Sequence, residues 1–215
     1  MNTLMSSAAF AALCALAPIS QAATIEINFD TVAAGSQANL AAPAGIRFYQ
    51  AHFVNDVDAF GDEILNTEKW QIDTASTSAF PVTVDNPASF GYGAAPSGTN
   101  ALNALWQPVL MRFDQAIHLS SFSAQLDNST YGDLTPSAVY FLDGQKTILG
   151  QISLDQTQPG TLALLNTPVN GVREVLFSSG AFYDNLQIST VPLPPSALLF
   201  ISGLTLLGVL KRRKG

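Results

Sequence analysis

AVYFLDGQKTILGQI, residues Ala138 to Ile152, sets two runs of β-branched, aromatic and aliphatic side chains on either side of Asp143-Gly144. Short runs of this kind bounded by turn residues read as strands, and Asp-Gly between them reads as a tight hairpin. In such a turn the glycine takes the positive φ that other residues resist. The spacing predicts an antiparallel pair, Ala138–Leu142 with Lys146–Ile152.

The same pattern extends in both directions. Thr24 to Phe29 alternates, with Ile25, Ile27 and Phe29 on one face. Further strands are expected at Gly45–Tyr49, Pro81–Val84, Val109–Phe113, Ile117–Leu126, Val172–Phe177 and Phe182–Ile188. No long amphipathic helix and no fixed-period repeat interrupts the series. Many short strands within a single-domain length predict an all-β, antiparallel, jelly-roll-like sandwich of two layers.

The two ends of the chain read differently. Leu4 to Ile19 is largely apolar and Ser20-Gln21-Ala22 fits the small-x-small rule, which predicts a signal peptide, 1–22, removed by signal peptidase. Cys14, the single cysteine, falls inside it, so residues 23–190 can form no disulfide. At the other end, Pro192, Pro194 and Pro195 precede an uncharged apolar stretch, Ala197 to Leu210, and then Lys211, Arg212, Arg213 and Lys214. Proline is tolerated only in the first turn of a helix, so a single hydrophobic helix is expected from there to the basic cluster. Pro195 to Leu210 would rise about 24 Å, near the thickness of a hydrocarbon core once basic side chains snorkel. The basic residues then place the C-terminus in the cytoplasm.

This tail resembles the PEP-CTERM sorting signal of exported proteins. The residues that carry the resemblance are Val191-Pro192-Leu193-Pro194, then Ser202-Gly203, then Lys211-Arg212-Arg213, in that order. Leu193 stands where the signal's glutamate would be, making this a Val-Pro-Leu-Pro variant. The resemblance implies an exosortase-like processing enzyme as partner. It also implies an inner-membrane-anchored precursor with its domain in the periplasm, and later a cell-surface or extracellular location. The organisation expected is a signal peptide (1–22), an exported sandwich (23–190) and a sorting tail with a transmembrane helix (191–215).

All sixteen acidic residues lie in the exported segment, against the basic residues Arg47, Lys69, Arg112, Lys146 and Arg173. That surplus argues against nucleic acid or anionic lipid as a partner and suits a secreted protein or a binder of divalent cations. The order of elements also resembles the jelly-roll sandwiches of non-catalytic carbohydrate-binding modules, carried by Ile27-Asn28-Phe29-Asp30, by Met111 to Ile117 with Phe122-Ser123-Ala124, and by Ala181 to Ile188. In those modules acidic residues beside the first and closing strands often hold a structural calcium. The resemblance therefore implicates Glu26, Asp30 and Asp184, whose carboxylates are the hard ligands calcium takes. The alternative, that Asp30 and Asp184 end strands or cap turns, stays open at this point.

Asp56, Asp58, Asp62 and Glu63 do not form an EF-hand, because Phe60 and Thr67 occupy positions five and twelve, where oxygen ligands are required. Motifs for a nucleophile elbow, a zinc helix or a phosphate loop are missing from the sequence. His52 and His118 stand apart from any triad pattern, with His118 expected to face solvent from a strand. Flat aromatic rings cover the apolar faces of sugars, so Trp70, Trp106, Tyr49, Tyr92 and Tyr131 are the pool for a stacking surface. Trp106, beside Leu105, is expected in the core, and Tyr92 and Tyr131 are expected to be exposed. The reading is a non-enzymatic exported protein that adheres to or binds extracellular polysaccharide, stabilised by structural calcium. The competing readings are a secreted glycan hydrolase and a matrix protein with no small ligand.

Overall fold

The longest strand, β7 (Val109–Leu126), organises its neighbours. The computed structural model describes residues 23–54, 59–60, 69–72, 81–126, 138–154, 162–165 and 167–191. Within them lie β1 (Ala23–Ile27), β2 (Ser36–Gln37), β3 (Ile46–Val54), β4 (Lys69–Ile72), β5 (Thr83–Asp85) and β6 (Ala101–Ala104) before β7. After it come β8 (Ala138–Leu142), β9 (Ile148–Ser153), β10 (Leu162–Leu165), β11 (Val169–Phe177) and β12 (Ala181–Thr190).

The ladders that join β2 through β12 are antiparallel, the strands run in the order β2-β5-β6-β12-β7-β11-β8-β9, and β1 pairs with β12. On one edge of β7, β3 pairs with Val109–Phe113 and β12 with Leu119–Leu126. On the other edge β11 and then β10 follow. The strand thus changes neighbours midway, at Asp114-Gln115-Ala116, which are exposed while Val109–Met111 and Phe122 are buried. The result is a sandwich-like, jelly-roll-like sheet whose wings close on one core. The sequence pattern marks Val109–Phe113 and Ile117–Leu126 as two strands because the polar Asp-Gln pair breaks the apolar run; the backbone continues through it.

Rings fill that core. Phe122 packs edge-on against Phe141 at 5.3 Å, and Phe177 lies 4.9 Å from Tyr183. Phe29 meets Phe48 at 5.8 Å. All are essentially without solvent exposure, and burial of such side chains is worth about 1.5–3 kcal/mol each. The opposite face of β3, β7, β8 and β11 carries a smaller apolar cluster, Ala51, Leu110, Leu142 and Leu176, flanked by Tyr49 and Tyr140. Beside it Glu174, fully buried, accepts from Arg112 Nε at 2.8 Å and pairs with Lys146. Arg112 also lies over the Tyr49 ring, 5.3 Å from its centroid.

Three expectations are corrected here. The β8–β9 hairpin forms, but positive φ falls on Lys146 (69°) and not on Gly144. Asp143 is the reason: its Oδ1 accepts from the amides of Gln145 and Thr147, which spreads the turn over 143–147 and moves the left-handed residue downstream. Phe29 does not extend β1; it begins a 3-10 turn, Phe29–Thr31, capped by Asn28. Finally, the expected hydrophobic helix and membrane anchor are corrected to what the described residues contain: 3-10 turns and no α-helix, hence no helix long and apolar enough to cross a membrane. The residues of that expectation, 192–215, lie outside those described, as do 1–22 of the expected signal peptide. The transmembrane span, inner-membrane location and processing partners are accordingly carried no further.

Candidate functional site

Three separate segments meet near the start of β12. The first is the turn after β1. Asn28 Oδ1 accepts from the Asp30 amide at 2.8 Å, and Thr31 Oγ1 donates to Asn28 O at 3.0 Å, so the turn fixes Asp30. The second is the loop before β6. The amides of Thr99 and Asn100 donate to Asp30 Oδ1 at 2.7 and 2.9 Å, and Asn100 Nδ2 donates to Val32 O at 2.9 Å. Gly98 makes this approach possible. Its φ is +49°, and a Cβ there would fall inside the Asp30 carboxylate.

The third segment is an irregularity in β12. The β12–β7 register shifts between Asp184 and Gln187, and Asn185 adopts φ 50°, a left-handed conformation that asparagine tolerates better than most residues. Asn185 Nδ2 donates to Gln125 Oε1 at 2.6 Å, which turns its Oδ1 toward the Ser97 hydroxyl, 3.1 Å away.

The hydrogen-bond inventory at this junction is unbalanced. Asp184 Oδ2 at 2.7 Å, Asn185 Oδ1 at 3.1 Å and Asp30 Oδ2 at 3.4 Å all converge on Ser97 Oγ, which has one proton to give. The Ser97 amide adds a donor to Asp184 Oδ2 at 3.2 Å. Asp184 Oδ1 is buried with no hydrogen-bond partner, and the residue as a whole has no exposed surface. Burial pushes the Asp184 carboxyl above its ordinary range, against the hydroxyl and amide of Ser97 and the nearby Asn185 amide, and the negative charge of Asp30 adds to the rise.

An excess of hard oxygen acceptors around a buried carboxylate fits calcium, which takes six to eight oxygens from carboxylates, amide carbonyls and water. Asp184, Asp30, Asn185 and Ser97 are the residues that would hold it. Glu26 is exposed on β1, and among the described residues no three His, Cys, Asp or Glu side chains gather. Ser97 and Asn185 were not legible as ligands. A Ser-Gly in a small-residue loop, and an asparagine after an aspartate, are too common to single out.

The sugar-stacking candidates fare differently. Tyr92 is half-buried and packs edge-on against Phe182 at 5.6 Å. Tyr131 lies outside the described residues, as do the acidic loop residues Asp56, Asp58, Asp62 and Glu63 and the sorting residues Pro192, Leu193, Pro194, Ser202, Gly203, Lys211, Arg212 and Arg213. Val191, the last described residue, is exposed. His118 is half-buried beside the buried Leu119. Trp106 is the correction of consequence: it is 79% exposed. Leu105 takes the core position, with Ala95, Ala101 and Phe182, and the next residue points the other way.

No family model matches the chain, and no curated protein matches it. Two solved structures are similar. One is the K2 cleaved adhesin domain of Lys-gingipain, at 11% identity and TM-score 0.38, covering 77% of this chain and 97% of that one. The other is a mutant of CBM29-2, a family 29 carbohydrate binding module, at 11% identity and TM-score 0.33, covering 79% and 92%. Each is a distant likeness.

Proposed function

We propose that residues 23–190 form a non-catalytic polysaccharide-binding domain in which calcium ties the turn after β1, the loop before β6 and the start of β12 together. The observation that supports calcium is the acceptor surplus, above all the unpartnered Asp184 Oδ1. Bound there, the cation supplies charge neutralisation and cross-linking of three segments distant in sequence. Binding is favoured over hydrolysis at these acids by the same geometry. Glycoside hydrolysis needs two carboxyl groups presented to a sugar. Asp30 is committed to two backbone amides, and Asp184 is sealed from solvent.

The test is a calcium titration of the full chain, stripped with EDTA, followed by thermal unfolding, with magnesium in parallel. A saturable calcium-dependent rise in Tm, larger than with magnesium, supports the reading. Superimposable melts in EDTA and in saturating calcium would remove calcium from it.

A further inference from the structure

We propose that Trp106 and the groove beside it form the polysaccharide-binding site of the domain, for a neutral hexopyranose chain; this rests on the binding reading above and places the site away from the acidic junction. Trp106 lies in the β6–β7 connection, held in place where the Gly180 amide donates to the carbonyls of Ala104 and Leu105 at 2.9 and 3.1 Å. Its 79% exposure leaves one of the largest apolar side chains of the domain facing solvent from a firmly anchored turn. A ring held out on a pinned backbone costs little entropy to use, and its flat apolar face matches the C–H face of a pyranose.

A depression opens next to that ring. A cavity of about 60 Å³ is lined by Trp106, Gln107, Asn103, Gln50 and Thr83 among others. It adjoins a second of about 240 Å³, with which it shares Gln50, Pro81 and Val82, and which runs on to Gln37, Arg47 and Tyr49. The lining is dominated by amides, hydroxyl and ring. Amide groups offer both donor and acceptor, which is what vicinal hydroxyls require. Gln107 Oε1 is buried without a hydrogen-bond partner, and Asn103 is fixed by its donation to Asp85 Oδ2 at 2.9 Å and its acceptance from the Leu105 amide at 2.9 Å. The groove therefore sets the oriented Asn103 amide beside an exposed ring. The cavity at Trp106 has no charged residue in its lining, and the surplus of acidic over basic residues in 23–190 repels polyanions. Both features favour a neutral glycan.

Affinity electrophoresis of the full chain through gels containing a soluble β-glucan, a mannan, a galactan or polygalacturonate tests this. The wild-type chain is expected to be retarded by at least one neutral polysaccharide and not by polygalacturonate. Trp106→Ala should weaken that retardation tenfold or more, while the Tm stays unchanged because the side chain packs against little. Leu40→Ala, at another exposed apolar residue (71%), should leave retardation intact. Retardation by polygalacturonate alone overturns the assignment of a neutral ligand. Retardation that survives Trp106→Ala overturns this site and leaves the binding reading standing. No retardation by any of the four removes both.

Discussion

Asp184→Asn should reverse its sign with calcium. In EDTA the wild-type chain buries a carboxylate whose Oδ1 has no partner and whose Oδ2 competes for one serine proton. Leaving such an acceptor unsatisfied costs about 1–3 kcal/mol, more for a charged group. Asparagine removes the charge and adds two donors among Asp30, Asn185 and Ser97, so the variant should be the more stable protein in EDTA. For a domain of this length each kcal/mol moves Tm by about 2–4 °C, giving a rise of a few degrees. With calcium at one hundred times its Kd, the wild type gains about 2.7 kcal/mol, hence roughly 5–10 °C, and the variant gains little. The order of the two melting temperatures should therefore invert between EDTA and saturating calcium. Differential scanning calorimetry of both chains in both buffers reads this directly. A variant less stable than wild type in EDTA, with its calcium shift retained, would refute the acceptor-surplus argument.

Further outcomes follow from the same geometry. In EDTA, a carboxyl whose folded pKa is raised lends stability below its unfolded pKa and loses it as pH climbs through the folded value; the calcium-induced Tm shift should thus grow as pH rises above about 4, as melts at increasing pH would register. Gly98→Ala forces a Cβ into the Asp30 carboxylate at a positive φ, and should weaken calcium affinity by tenfold or more in a calorimetric titration while costing about 1–3 kcal/mol in urea unfolding. Glu174→Gln leaves Arg112 and Lys146, both partly solvated, facing each other across a buried neutral amide, with an expected loss of about 1.5–3 kcal/mol by urea unfolding and no effect on calcium affinity.

The fold was legible wherever local pattern and tertiary environment agree. β8 was bounded residue for residue because its apolar run ends at a turn residue that really turns. β11 and β12 were found but drawn short: Asn170-Gly171 interrupts the apolar run between Val169 and Val172, Gly180 precedes the small Ala181, and Ser189-Thr190 is polar, although Val169 and Ala181 are buried in the core. β2, β4, β6 and β10 were missed. β2 has two residues and β6 reads Ala-Leu-Asn-Ala, with low strand propensity; it is held between β5 and β12 by the sheet and not by its own preference.

At the candidate site, sequence could nominate Asp30 and Asp184 only through their position beside the first and last strands, and it nominated Glu26 on equal terms. What separates them is invisible along the chain. Glu26 sits on an exposed face of β1, where a carboxylate is solvated at no cost. Asp184 is buried immediately before a register shift in β12, where Asn185 accepts a left-handed backbone and Gln125 holds its amide. The same blindness misplaced Trp106. Composition says that a tryptophan beside a leucine belongs in a core, yet the chain bends at Leu105-Trp106-Gln107, and with Leu105 buried against Phe182 the indole is left facing solvent. In both places the functional group stands where a structural neighbour has already taken the conventional position, and a group displaced in that way is left with unspent bonding capacity: an acceptor without a donor at Asp184, an apolar face without a partner at Trp106.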